Sequence, residues 1–346
     1  MITAIVATYN HAKFLEKCIT AISVQGDLIS KIIVVNDAST DNTIHVLDGI
    51  KVREPRLFVV TNKVNLGTVG GFKTGLQYVE TDFFAFFAAD DFLLPDWATS
   101  SVKAMRLSVS AAVCLSNTYI KDEDTGFITC SAIPNSLSGR WLSPERFRKS
   151  VMKYGVWYSS NTALFRTSTY NEDTFRSDLG PLNDRLMISA LGSRSGVVVI
   201  DKRLGCFYVR SSSLSGSVAS RNMSFQLLKS FSDILFRSDL FADADRKFIN
   251  KVFLSTFYIY VNEHLEFLVH QYKNVLCDVS DKRCSKVIAL LLSFLIICFK
   301  VVFSLAIKSL PLILHERFLV SKLRDQEVKF VNEYENRIHS LQNGPK

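Results

Sequence analysis

The seven cysteines, Cys18, Cys114, Cys130, Cys206, Cys277, Cys284 and Cys298, contain no Cys-x-x-Cys pair. An odd, scattered set speaks against a disulfide framework or a zinc site and for reduced, mostly buried thiols in a cytosolic setting. No charged segment followed by an apolar one precedes the strand-like opening Met1 to Asn10, so no secretory signal is expected. A Gly-x-Gly-x-x-Gly dinucleotide loop is missing, since Gly70-Gly71-Phe72 does not fit it, and so is a Gly-Lys-Ser/Thr phosphate loop. The six histidines have no metal-ligand spacing. Basic and aromatic residues are not interleaved, which argues against a nucleic-acid partner. The most apolar stretch, 287–314, has an uninterrupted core of only thirteen residues, Val287 to Phe299. A bilayer crossing needs roughly 20.

What the 346 residues do contain is enough apolar side chain, 48%, for a full core plus an extension. Ile2 to Ala7, Ile32 to Val35, Leu57 to Val60 and Phe83 to Phe87 are short apolar runs of the kind that form strands buried on both faces. Helical patterns separate them: Phe14, Leu15, Cys18 and Ile19 share one face, Asp41-Asn42 precedes a second helix, and Val69 to Val79 is a third. This alternation predicts a mostly parallel sheet with right-handed crossovers. Further strands are expected at 111–115, 127–131, 161–166, 197–200 and 204–209, a helix at 141–151, and a loop passing into a helix over 179–191. From about 218 the chain reads as helical. The predicted organisation is a domain over 1–217, divided near residue 100, and a helical C-terminal region over 218–346.

Four short pieces carry the chemistry: Thr8-Tyr9-Asn10, Asn36-Asp37-Ala38-Ser39-Thr40-Asp41, Asn65-Leu66-Gly67 and Ala89-Asp90-Asp91. The second and fourth follow buried strands, and the carboxyl ends of parallel strands meet in one crevice where α/β sheets bind ligands. At such a place Asp37 can accept hydrogen bonds from a base imide or a ribose hydroxyl. Asn36, Ser39 and Asp41 read as turn and cap residues. Two adjacent carboxylates, Asp90 and Asp91, repel unless a cation or a basic partner balances them. Hard oxygen ligands suit Mg²⁺ or Mn²⁺, which also bridge a diphosphate.

In order and spacing these pieces resemble family-two glycosyltransferases of the GT-A fold, over roughly residues 1–215. The resemblance implies an inverting transfer of a sugar from a nucleotide-diphosphate donor, most simply a UDP-sugar, to an acceptor hydroxyl. It places Thr8, Tyr9, Asn10, Asp37, Asn65, Gly67 and Asp90 on the donor nucleotide, Asp90 and Asp91 on Mn²⁺ or Mg²⁺, and Asp184 as catalytic base. Three positions depart from the family pattern. Ala88 stands for the first acid of an Asp-x-Asp motif, Asn183 for the acid before the base, and Arg210 for a metal-ligating histidine. An arginine is always charged and cannot ligate a metal, but it can clamp a diphosphate or an acceptor phosphate. The same departures leave open a non-catalytic sugar-nucleotide-binding module. A sugar nucleotidyltransferase needs a Gly-rich basic loop after the first strand, where this chain has Ala7-Thr8-Tyr9-Asn10-His11.

Charge adds a last expectation. The net charge is +8, and residues 211–346 hold +5 of it around the apolar stretch. That combination fits anionic headgroups at the cytoplasmic face of a membrane, with Lys300 and Lys308 snorkelling from an in-plane helix. A spanning helix and a buried helix are the alternatives. The expected partners are thus a nucleotide sugar, a saccharide or lipid-linked acceptor and the inner-membrane surface, with the protein cytoplasmic and peripherally attached and its role in surface-polysaccharide or glycolipid synthesis.

Overall fold

The computed structural model describes residues 1–131, 133–210, 225–237, 239–241, 244–257 and 325–342. Strands β1 (Ile2–Thr8), β2 (Ile29–Asn36), β3 (Leu57–Thr61) and β4 (Phe83–Ala88) alternate with helices α1 (Ala12–Ser23), α2 (Thr43–Arg53) and α3 (Gly67–Leu76). β1 pairs in parallel with β2 on one side and β4 on the other, and β3 adds in parallel beyond β2. Every residue of β1 is buried, because helices cover both faces of the sheet. Glycines let α3 lie against it: a Cβ at Gly75 would come within 2.4 Å of Ile5 Cγ2.

The second half is mixed. It contains β5 (Phe92–Leu93), α4 (Trp97–Leu107), β6 (Val113–Asp122), β7 (Ile128–Cys130), β8 (Trp141–Leu142), α5 (Pro144–Tyr154), β9 (Leu164–Arg166), α6 (Asn183–Ser195) and β10 (Val197–Val209). The sheet runs β3-β2-β1-β4-β9-β6-β10-β5, with β7 on β6 and β8 on β10. β9 is antiparallel to both β4 and β6 and so joins the two halves. Two expectations need correcting. Trp141 and Leu142 form a strand on β10, and the helix begins only at Pro144, where Ser143 accepts from the Arg146 N–H. The segments 197–200 and 204–209 are one strand, interrupted by register shifts around Arg203.

One core lies on each face of the sheet. On one, Phe84 stacks on Phe165 at 5.3 Å and Phe147, Trp157 and Leu186 extend the cluster. Truncating such a fully buried phenylalanine costs about 3–5 kcal/mol. On the other, Leu15, Cys18, Ile19 and Trp97 pack over β1 and β2, and the Trp97 indole donates to Thr162 O at 2.9 Å. Helices α7 (Phe225–Arg237) and α8 (246–257) contribute Phe231, Leu235, Phe248 and Val252 to the first core. Helix α9 (Asp325–Gln342) sets Val331, Tyr334 and Ile338 against Phe92, Tyr119, Cys206 and Tyr208. Cys18, Cys114, Cys130 and Cys206 are free thiols, all buried except the half-buried Cys130. Among the described residues no helix is long and apolar enough to cross a membrane. The stretch 287–314 lies outside them.

Candidate active site

The loops after β1 and β2 are laced together by short polar side chains. Asn10 Oδ1 accepts from the Thr40 and Asp41 N–H groups at 2.8 and 3.3 Å, and Ser39 Oγ accepts from the Asn10 N–H at 3.0 Å. Asp41 bonds Ala12 N and the Thr43 N–H and hydroxyl, so it joins the starts of α1 and α2. Its cap reading holds in the structure. Asn10 (φ 56°) and Ala38 (φ 60°) both sit in the left-handed region. For an alanine that conformation costs roughly 1–2 kcal/mol, and such strain concentrates at functional loops.

Asp37 is 2% exposed and accepts from Asn62 Nδ2 at 2.7 Å and from the Leu66 N–H at 3.0 Å. It thereby ties the end of β2 to the loop leading into α3, where Asn65 Oδ1 accepts from the Gly67 N–H at 2.8 Å. Asn62 had no signal in the sequence, because nothing marks which asparagine after β3 faces the acid. Beside this network the buried polar atoms Thr8 Oγ1, Asn36 Nδ2 and His11 Nδ1 have no hydrogen-bond partner. Thr8 and Asn36 are register partners at the carboxyl ends of β1 and β2. Unmet buried polar atoms are rare in folded proteins, and a ligand or ordered water at the strand ends would supply partners for these three. Tyr9 between them is 42% exposed.

The acid pair follows β4. The Arg210 guanidinium pairs with Asp90 and stands 3.2 Å from Glu123 Oε2, with the Phe14 ring 4.2 Å beneath it. Arg210 is thus the basic partner that adjacent carboxylates require. Asp91 is buried, and its Oδ1 accepts from the Tyr208 N–H at 3.1 Å. Burial and the neighbouring Asp90 charge push the Asp91 carboxyl well above the usual carboxylate range, against the bonds from Tyr208 and Asn161. Burial also lowers the pKa of the His11 ring, helped by the Arg210 charge and opposed by Asp90. Phe14 and Glu123 were hidden in the sequence within a helical core pattern and an acidic turn.

Asp184 lies in the first turn of α6, where Oδ1 accepts from the Arg185 N–H at 2.7 Å. It opens onto a cavity of about 290 Å³ lined also by Ser116, Thr118, Trp157, Tyr158 and Asn161. Asn161 belongs both to this cavity and to the Asp91 bond, so cavity and acid pair adjoin. Asn183, by contrast, faces inward at 3% exposure. It accepts from the Arg176 N–H at 2.6 Å and donates to the Arg176 and Gly180 carbonyls at 2.5 and 2.9 Å. An amide both accepts and donates here, which an ionised acid cannot do.

Among the described residues no three His, Cys, Asp or Glu side chains are arranged to hold a metal alone. Asp90 is the member of the pair whose carboxylate already draws a cationic group, the Arg210 guanidinium. A Mg²⁺- or Mn²⁺-type ion, which takes one or two protein carboxylates and fills its remaining positions from phosphates and water, would have to share Asp90 with Arg210.

A mostly parallel sheet with polar loops and acids gathered past its carboxyl ends defines an α/β protein of the GT-A class. Residues 3–172 match the family described as "Glycosyl transferase family 2", and the chain carries a glycosyltransferase domain of that family. An uncharacterized glycosyltransferase of Haemophilus influenzae is 26% identical over 50% of this chain and 53% of its own length. Glycosyltransferase GlyA of Streptococcus pneumoniae is 23% identical over 62% of this chain and 31% of its own. The chain therefore spans about half or less of these curated relatives. S. aureus TarS 1-349 in complex with UDP-GlcNAc shares the fold with a TM-score of 0.57 at 17% identity, over 84% of this chain and 79% of that one.

Proposed function

We propose that the chain is an inverting, metal-assisted glycosyltransferase that takes a UDP-sugar as donor and a saccharide or lipid-linked hydroxyl as acceptor. The observation that carries the donor half is the cluster of unmet buried atoms, Thr8 Oγ1, Asn36 Nδ2 and His11 Nδ1, at strand ends flanked by Asp37 and by the Asp90–Arg210 pair. The complex of TarS with UDP-GlcNAc supports the same donor class. Thr8, Tyr9, Asn10, Asp37, Asn65 and Gly67 form the nucleoside side of this pocket. Asp90, with Asp91 behind it, is the place for Mn²⁺ or Mg²⁺, which when bound supplies positive charge to the departing diphosphate. Arg210 adds a fixed charge on the same side and can turn its fork toward phosphate oxygens.

Asp184 takes the proton from the acceptor hydroxyl, which attacks the anomeric carbon as the bond to the diphosphate breaks. Its cavity offers hydroxyls, an amide and aromatic faces, a lining suited to a sugar ring. Residues 1–217 form the catalytic unit in this reading, and the basic, apolar segment of 218–346 holds it at the cytoplasmic membrane face near a lipid-linked acceptor. The chondroitin synthase of Pasteurella multocida, 24% identical over 50% of this chain and 17% of its own length, accords with a polysaccharide product.

The test is a panel of nucleotide sugars assayed for turnover with Mn²⁺, with Mg²⁺ and with chelator. Cation-dependent release of UDP from one donor is expected. UDP binding without turnover of any donor on any acceptor would instead leave a binding module.

A further inference from the structure

Helix α9 brings one carboxylate under the donor pocket from the far end of the sequence. Glu335 Oε1 accepts from Lys17 Nζ at 2.5 Å and from the Tyr208 hydroxyl at 2.6 Å, and Oε2 accepts from Lys121 Nζ at 2.7 Å. Lys17 Nζ also donates to the Tyr208 hydroxyl at 2.5 Å and lies 4.5 and 4.3 Å from the Phe92 and Tyr208 rings. Asn332, one turn earlier on α9, accepts from Lys121 at 3.1 Å. The Lys17, Lys121 and Glu335 side chains are only 12%, 18% and 16% exposed.

A buried ion cluster is weak evidence for stability, because desolvating its charges offsets their attraction and an apolar replacement often does as well. What it provides is a fixed geometry, and the geometry here leads to the site. Each of three elements gives one residue to the Glu335 cluster and another to the shell around Arg210. Helix α1 gives Lys17 below and Phe14 above. β6 gives Lys121 below, and Glu123 follows just past its end. β10 gives Tyr208 below, with Arg210 just past its end. Tyr208 is the register partner of Lys121, and the Glu123 N–H donates to Val209 O at 3.0 Å, so the two strands reach Arg210 in step. Tyr208 also touches the acid pair directly, through its N–H to Asp91.

We infer that Glu335 is a positioning residue for the donor-diphosphate pocket, pinning α1, β6 and β10 so that Arg210 and Asp90 stand where phosphate oxygens arrive. The inference rests on the donor-site reading above. The C-terminal helix is then part of the working site and not only cover for the sheet edge.

The experiment uses the full chain and compares Glu335→Gln with Glu327→Gln, which removes the carboxylate that pairs with Arg203 (2.7 Å) farther out on the same helix. UDP affinity is measured by calorimetry with Mn²⁺, alongside thermal midpoints and donor KM and kcat. Glu335→Gln should weaken UDP binding about tenfold, the loss typical of an outer-shell partner, and raise donor KM with kcat little changed. Glu327→Gln should leave both unaltered. In a Tyr208→Phe background, Glu335→Gln should cost less than it does alone. Should Glu335→Gln fail to fold, Glu335→Asp keeps the charge with a shorter reach and should show a smaller loss of the same kind. UDP affinity within twofold of wild type in the folded variant, or losses in both helix variants that merely track their thermal midpoints, would overturn the inference. Failure of the wild-type chain to bind any UDP would remove the donor reading and this inference with it. Tight wild-type binding indifferent to Glu335 would remove the inference alone.

Discussion

The two halves of the sheet build their ends differently. Past β1, β2 and β4 the polar residues sit in contiguous motifs, and their partners are close by: Asn10 bonds Thr40, Asp37 bonds Leu66 and Asn62, and Asn65 bonds Gly67. In the mixed half the site is assembled from single residues far apart in sequence, Glu123 past β6, Asn161 before β9, Asp184 in α6 and Arg210 past β10, with Glu335 behind them. Parallel strands with short connections make local motifs; the mixed half brings its strands together over long separations. The first half should therefore govern binding of the nucleoside, while the second half supplies both the base and the supports of the diphosphate pocket.

The largest effect that would sharpen this division is at the base. Asp184→Asn should lower transfer by about 10²–10⁴-fold, the usual worth of a general base, with UDP affinity unchanged. Unaltered turnover would remove the assignment. Next, Asp37→Ala leaves the Leu66 N–H and the Asn62 amide without their charged acceptor. A bond to a charged group is worth about 1.5–3 kcal/mol, so donor affinity should fall about ten- to a hundredfold while kcat at saturating donor stays near wild type. Equal losses in kcat would break the comparison.

A smaller effect tests whether Asn183 is a decayed acid. Asn183→Asp gives up two donated bonds to the carbonyls of Arg176 and Gly180 and sets a carboxylate against them. The thermal midpoint should drop, by an amount corresponding to about 1–3 kcal/mol, without any gain in turnover. Increased turnover would show that the position still has a catalytic role. The smallest concerns acid. Burial works to raise the Glu335 carboxyl, but the Lys121, Lys17 and Tyr208 bonds outweigh it and hold it down from 4.5 to about 2. A carboxyl depressed in the folded state adds stability above its unfolded pKa and loses it as pH falls through the folded one. Docking of α9 should thus weaken between about pH 4.5 and 2, seen as rising hydrogen exchange in 325–342, and Glu335→Gln should flatten that dependence.

Periodicity and motif chemistry made the first half legible. The strands over 2–88 run close to their apolar runs, and the bonds of Asp41 to the start of α2 follow from its residue type, whereas its bond to Ala12 at the start of α1 does not. In the second half, Trp141 and Leu142 were misread because an aromatic and a leucine before a helix fit the helical period as well as a strand on β10. Asn183 looked like a lost acid because a sequence does not show which carbonyls an amide meets. Glu123 and Phe14 carry no local mark of their approach to Arg210, since both contacts depend on how β6, β10 and α1 converge. Glu335 is separated from Tyr208 by 127 positions, a distance no motif spans.

That separation has a consequence for the growing chain. Ribosomes extend proteins at about 5–20 residues per second, so the nucleotide loops of β1 to β4 exist for on the order of tens of seconds before Glu335 is made. During that interval Arg210 can be in place without the carboxylate that pins its supports. The apolar stretch at 287–314 emerges inside the same interval, ahead of α9. Until the last helix is made, α1, β6 and β10 lack the carboxylate that joins them.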